Sequence, residues 1–199
     1  VDESPIIACG KTTIYDVNIS LGSNLSNIKD TENFESFSVQ KYQFTLSYLH
    51  DLNNDFNQFL EFGLGYSGKG SILKPLNSIE FRMSLNYITS RIVYHHTIIN
   101  IEPSTYSPII VIGGLYTNYL ISDNLDDLFP NNSNSLPNYD FGILLGLRFG
   151  TYISNGLVLF AEYNYQHGFS KLEDPFPKSH NISHSFNIGL MFVLLRNYY

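Results

Sequence analysis

The chain has 199 residues with a formal net charge of −7, only 15 % charged residues, 15 Tyr, 15 Phe and one cysteine. That length suits one domain. The acidic balance, with no basic patch or stripe to neutralise phosphates, argues against a nucleic-acid partner, and the single Cys9 excludes an internal disulfide. No run of about 18 apolar residues exists, so no membrane helix is expected.

Residues 1–11 show no periodicity and read as a periplasmic leader ahead of a single domain over residues 12–199. Ile6-Ile7-Ala8-Cys9 spells the end of a lipoprotein cleavage site, but only Val1 to Pro5 precede it, without a basic or apolar region, so the match is read as chance. No signal peptide stands at the N-terminus, so an outer-membrane destination implies a processed chain.

From Thr13 onward the chain alternates. Thr13, Tyr15, Val17, Ile19 and Leu21 fall on one face of a first strand, against Asp16, Asn18, Ser20 and Gly22. A polar loop over residues 27–36 leads to a second strand, residues 37–50, with Tyr42, Phe44, Leu46 and Tyr48 opposite Gln43, Thr45 and Ser47. Asp51-Leu52-Asn53-Asn54-Asp55 predicts a tight turn by its Asx content. The third strand sets Leu60, Phe62, Leu64 and Tyr66 against Glu61, Gly63, Gly65 and Ser67, and runs on toward a turn near Lys74-Pro75.

In the fourth strand Phe81, Met83, Leu85 and Tyr87 oppose Glu80, Arg82, Ser84 and Asn86, after which the apolar set becomes Ile88, Ile92 and Tyr94. This change of parity predicts a β-bulge near residues 88–90. A fifth strand over residues 109–122 carries Val111, Leu115, Tyr119 and Ile121 outward, and the longest loop, residues 123–137, follows.

The last three strands obey one rule. Odd positions from Tyr139 to Phe149 are large and apolar, whereas the even ones are Asp140, Gly142, Leu144, Gly146 and Arg148. After the turn at residues 153–156, Leu157, Leu159, Ala161, Tyr163 and Tyr165 oppose Glu162, Asn164 and Gln166. Beyond a loop over residues 171–181, Phe186, Ile188, Leu190, Phe192 and Leu194 oppose Ser183, Ser185, Asn187 and Gly189.

A long apolar face paired with Gly, Ser, Asn and isolated charges suits a barrel with lipid outside and compact polar side chains within. Eight tilted strands of roughly 10 residues each would use about 80 residues in a bilayer. The two tightest turns, after strands two and six, fall on one side, as the short periplasmic turns of outer-membrane barrels do. The expected fold is therefore all-β, an eight-stranded antiparallel transmembrane β-barrel with up-and-down meander order, both termini periplasmic.

Several motifs also resemble the PorT-like outer-membrane β-barrel domain common in Bacteroidota. They are Leu85-Asn86-Tyr87-Ile88, the segment from Gly113-Gly114-Leu115-Tyr116 to Leu120, and Asp140-Phe141-Gly142-Ile143-Leu144-Leu145-Gly146-Leu147. Gly156-Leu157 running to Tyr163-Asn164-Tyr165, and Phe186-Asn187-Ile188-Gly189-Leu190, complete the set. The chain departs from the family at Thr89-Ser90, where Glu and Pro are usual, and at its end, where Arg196 and Asn197 precede Tyr198 and Tyr199. The resemblance implies an eight-stranded barrel and identifies no catalytic residue.

Asp16, Glu61, Glu80, Arg82, Asp140, Arg148 and Glu162 are expected to form an internal charge network, with Arg82 and Arg148 shared among the carboxylates, because a narrow barrel cannot hold unpaired charges. Tyr48, Tyr66, Tyr87, Tyr119, Tyr139 and Tyr165, near strand ends, are expected as interface aromatics at the lipid headgroups. His167, Ser170 and Asp174 have the composition of a hydrolase triad, but parity sends His167 and Ser170 to opposite faces. Adjacent His95 and His96 make a poor chelate, and Asp123, Asp126 and Asp127 lack calcium-loop spacing. His180 and His184 could meet only outside a regular strand, and Asn131-Asn132-Ser133 is a glycosylation sequon in spelling alone.

No catalytic, cofactor or metal site is expected. The expected role is an accessory or anchoring subunit of a larger outer-membrane protein assembly, without a conducting pore, its partners being outer-membrane lipid and that assembly. The alternatives are a stand-alone surface barrel binding an external ligand through its loops, and an outer-membrane lipid-modifying enzyme. A lipocalin-like carrier would need a roomier, apolar interior.

Overall fold

The computed structural model describes residues 15–29, 34–52, 57–75, 80–100, 108–124, 138–154, 156–170 and 180–194. The leader over residues 1–11 lies outside them. Eight strands follow in order: β1 (Tyr15–Lys29), β2 (Phe34–Asp51), β3 (Gln58–Pro75), β4 (Phe81–Asn100), β5 (Pro108–Asp123), β6 (Tyr139–Ser154), β7 (Leu157–Gly168) and β8 (His180–Leu194). Each pairs antiparallel with its neighbour, and β8 returns to β1, so the sheet closes with no free edge.

Period-2 alternation sorts side chains to two sides of the wall. Leu21, Leu64, Leu115 and Ile188 are more than 60 % exposed on the outside, whereas Asn18, Asn24, Glu61 and Asn164 are buried within. Water would penalise so large an apolar exterior; hydrocarbon would not. At the β6–β7 turn Gly156 takes a φ of 86°, a left-handed conformation that glycine adopts without a Cβ clash, and its carbonyl accepts the Val193 N–H at 2.9 Å.

Strand length is uneven. β4 has 20 residues, about 65 Å of chain at roughly 3.3 Å per residue, where about 10 residues cross a bilayer. β2, β3 and β4 therefore rise past the other strands at the end opposite the β2–β3 turn.

The alternation in β4 differs from expectation. Met83, Leu85 and Tyr87 face inward and are buried, in phase with Arg91, Val93 and His95, so no slip occurs near residues 88–90. The register shift there lies between Asn86 and Tyr87 of the β4–β5 ladder, and the extra residue is Ile121 of β5; the extra residue on β4 is Ile98. The apparent slip arose because apolar side chains face inward at the raised end and outward at membrane depth. With Ile28, Val39 and Leu73, these residues fill the raised end of the barrel with an apolar core.

The interior is also sectored. Ser, Asn and Gln line β8, β1 and the upper part of β7, while Val93, Ile110, Ile112, Tyr116 and Leu144 pack as an apolar cluster on β4, β5 and β6. A uniformly compact polar lining, as the alternation suggested, is not what the structure holds.

Candidate functional site: the lumen charge cluster and the outer wall

Four charges from four strands form a closed square inside the barrel. Glu61 on β3 receives Arg91 Nε at 2.6 Å on Oε1 and Arg148 Nη2 at 2.9 Å on Oε2. Glu162 on β7 receives Arg91 Nη1 at 3.3 Å on Oε1 and Arg148 Nε at 2.8 Å on Oε2, and also accepts from Arg148 Nη2. Each carboxylate thus gives one oxygen to each guanidinium, the fork geometry that lets arginine bridge two acids. All four side chains are buried, and their formal charges cancel.

Neighbours complete the shell. Asn164 Nδ2 donates to Glu162 Oε1 at 2.5 Å, His95 Nε2 lies 3.0 Å from Glu61 Oε2, and Gln43 Nε2 donates to Asn187 Oδ1. The Arg148 guanidinium rests 4.3 Å from the Phe160 ring centroid. Gly63 makes room: a Cβ there would stand 2.9 Å from Arg91 Cγ.

A second cluster lies nearer the raised end. Lys69 Nζ is 3.4 Å from Asp140 Oδ2 and sits 4.8 Å from the Tyr116 ring centroid and 5.8 Å from that of Tyr87. Asp140 Oδ2 also accepts from Asn118 Nδ2 at 3.3 Å and Asn181 Nδ2 at 3.4 Å. A buried ammonium boxed by a carboxylate and two rings blocks the lumen as effectively as an apolar side chain. Below the square, near the short-turn end, a cavity of about 30 Å³ is bordered by Asp16, Leu49, Phe59, His95 and Phe160, room for about one water.

Of the residues expected in the lumen, Asp16, Glu61, Asp140, Arg148 and Glu162 are buried there. Glu80 and Arg82 are corrections. Both are exposed outside the barrel, Glu80 facing Lys74 at 3.9 Å, because the inward parity of β4 belongs to the odd positions. Arg91, not Arg82, is the second shared arginine. Sequence reasoning missed Arg91 and Lys69, although carrying the odd-inward rule along β3 and β4 would have reached both.

Tyr48, Tyr66, Tyr119 and Tyr139 are exposed on the outer wall, with the rings of Tyr119 and Tyr139 5.1 Å apart, and Tyr165 is half-buried on the same wall. Tyr87 is a correction: it is 2 % exposed and faces inward over Lys69. His167 faces outward, and Ser170 Oγ accepts the Phe141 N–H at 3.3 Å, whereas Asp174 lies outside the described residues. His95 is buried inside and His96 is outside, so the pair does not converge. Among the described residues no group of three His, Cys, Asp or Glu side chains could hold a metal ion. Asp126 and Asp127, and the sequon at residues 131–133, lie outside the described residues.

No protein-family model matches the sequence, and no curated protein does. Solved structures match by shape. The outer membrane protein OprG from Pseudomonas aeruginosa superposes with a TM-score of 0.62 at 8 % identity, covering 94 % of this chain and 97 % of that one. Ail, the attachment invasion locus protein of Yersinia pestis, gives a TM-score of 0.45 at 14 % identity over 90 % of this chain and 98 % of its own. The N-terminal β-barrel domain of Pseudomonas aeruginosa OprF gives 0.43 at 14 % identity over 92 % and 100 %.

At such identities the likeness to OprG concerns the fold. The chain has the closed, eight-stranded antiparallel architecture of outer-membrane barrels. These matches do not carry the narrower resemblance to the PorT-like domain.

Proposed function

We propose that this protein is a non-conducting barrel of the bacterial outer membrane that works through its surfaces, as an accessory or anchoring subunit of a larger outer-membrane assembly. The observation that carries the reading is the filled interior. The Glu61–Arg91–Glu162–Arg148 square, the Lys69–Asp140 pair and the apolar core at the raised end occupy the lumen in successive layers. An eight-stranded barrel holds little more than its own side chains, so these layers support a lumen closed to water. The apolar belt supports residence in a bilayer. The PorT-like resemblance belongs to the same proposal, with a Bacteroidota outer membrane as the setting and the termini on the periplasmic side. Neither cluster presents an activated nucleophile beside an open substrate site, and the reading is of a protein without enzymatic activity.

The raised wall of β2, β3 and β4 favours a second reading, a stand-alone barrel that binds an external ligand beyond the membrane. Its packed interior makes it a rigid platform rather than a set of loose loops. Native purification from outer membranes in mild detergent, followed by mass spectrometry, separates the two. A stoichiometric large membrane partner supports the accessory reading, and recovery of a lone folded barrel supports the second. Recovery from the soluble fraction would refute both.

A further inference from the structure

The outer wall of β7 and β8 differs from the rest of the exterior. Above the apolar residues of these strands stand Tyr163, Tyr165 and His167 on β7 and His180 and His184 on β8, all half-buried against one another. The Tyr163 hydroxyl and His184 Nδ1 are 2.7 Å apart, and the Tyr165 hydroxyl and His167 Nδ1 3.4 Å. Ring centroids are 5.3 Å apart for Tyr165 and His184, and 5.9 Å for His167 and His180. With the Tyr163 hydroxyl donating to Nδ1, His184 carries its proton on Nε2 and so offers a further donor. His180 Nδ1 is buried with no hydrogen-bond partner among the described residues.

The described strands around this cluster turn their acidic side chains away from it. Asp140, Glu162 and Asp16 all point into the lumen, so no acidic side chain among the described residues of β6, β7, β8 or β1 faces outward. Three imidazoles, each with an N–H to donate, meet no carboxylate among the described residues of this wall.

Directly below, a groove of about 870 Å³ crosses the same wall and shares Tyr163 with the cluster. Its floor is Ala161, a small residue flanked by Phe149 and Ile188, its ladder partners on β6 and β8, with Phe186 and Leu21 beside them. An apolar groove leading to imidazole donors has the layout of a lipid: chain below, head above.

We propose that this wall holds one phosphate-bearing lipid from the leaflet at the raised end. Its acyl chain lies over Ala161, and its phosphate accepts hydrogen bonds from the tyrosine–histidine cluster. The inference rests on the bilayer residence proposed above and adds a ligand class to it.

The test is native mass spectrometry of the detergent-solubilised full chain with dioleoyl phosphatidic acid, dioleoylglycerol or inorganic phosphate. The expected result is a one-to-one phosphatidic acid adduct, with little retention of the other two. Ala161→Phe, which fills the groove from outside the barrel wall, and His184→Ala should each lower that adduct at least about fivefold. Heat-modifiable gel migration checks that each variant is folded.

Equal adducts in wild type and both variants would overturn the proposal. So would equal retention of dioleoylglycerol, which lacks the phosphate, or of inorganic phosphate, which lacks the chain. A folded, membrane-recovered barrel without the adduct sinks this inference alone, whereas recovery from the soluble fraction sinks the bilayer reading beneath it.

Discussion

Arg148 on β6 reaches Glu61 on β3 across the lumen, Nη2 to Oε2 at 2.9 Å, although β4 and β5 separate them around the wall. That bridge ties together parts of the barrel that share no backbone ladder. Removing one member leaves a buried charge without its partner. Glu61→Ala should therefore lower folding stability by about 3–5 kcal/mol, read as the shift in urea unfolding midpoint in lipid vesicles. Glu80→Ala should change it by no more than about 0.5 kcal/mol, since Glu80 meets Lys74 only in an exposed pair. Equal effects of the two substitutions would contradict the placement of both.

β4 shows how far the sequence could be read. Alternation alone located every strand, because two different environments demand two different faces and period 2 records them. It failed at the raised end for the same reason: there the apolar environment is the inside. Met83, Leu85 and Tyr87 look like Ile88, Ile92 and Tyr94, and nothing local separates an apolar residue facing lipid from one filling a plug. Three of the four members of the charge square were legible. Glu61, Arg148 and Glu162 sit on strands with clean parity, whereas Arg91 was lost with the presumed slip. The tyrosine–histidine cluster combines residues from two strands, and only the β7–β8 register brings Tyr165 opposite His184.

The corrected parity of β4 can be tested by cysteine reactivity. In a Cys9→Ser background, Leu85→Cys should resist a maleimide in folded protein and react on unfolding. Ile88→Cys, on the outer wall at 51 % exposure in the native residue, should react with a membrane-permeant reagent in the folded state. The reverse pattern would restore the slip.

Lys69 and Asp140 should be energetically coupled. Lys69→Met strands the Asp140 carboxylate, and Asp140→Leu strands the ammonium between Tyr87 and Tyr116, so each alone should be strongly destabilising. The double variant should cost less than the sum of the two, with a coupling of about 0.5–3 kcal/mol in a double-mutant cycle. Additive losses would mean that the pair does not act as a unit.

The exterior makes its own prediction. Leu64 is 64 % exposed in the middle of the apolar belt, and Leu64→Arg should cost about 2–4 kcal/mol in a bilayer. Tyr66→Arg, closer to the interface, should cost less. Equal and negligible effects would indicate a wall that meets water.

On the proposed reading, side chains close this barrel to ions while lipid surrounds it. Single-channel recording of the refolded full chain in planar bilayers tests it most directly. A closed barrel should insert, seen as heat-modifiable protein in the recovered bilayer material, with no stable conductance steps above the bare membrane. Large, long-lived conductance steps from wild-type protein would contradict it, because such a current needs a water path through the Glu61–Arg148 bridge.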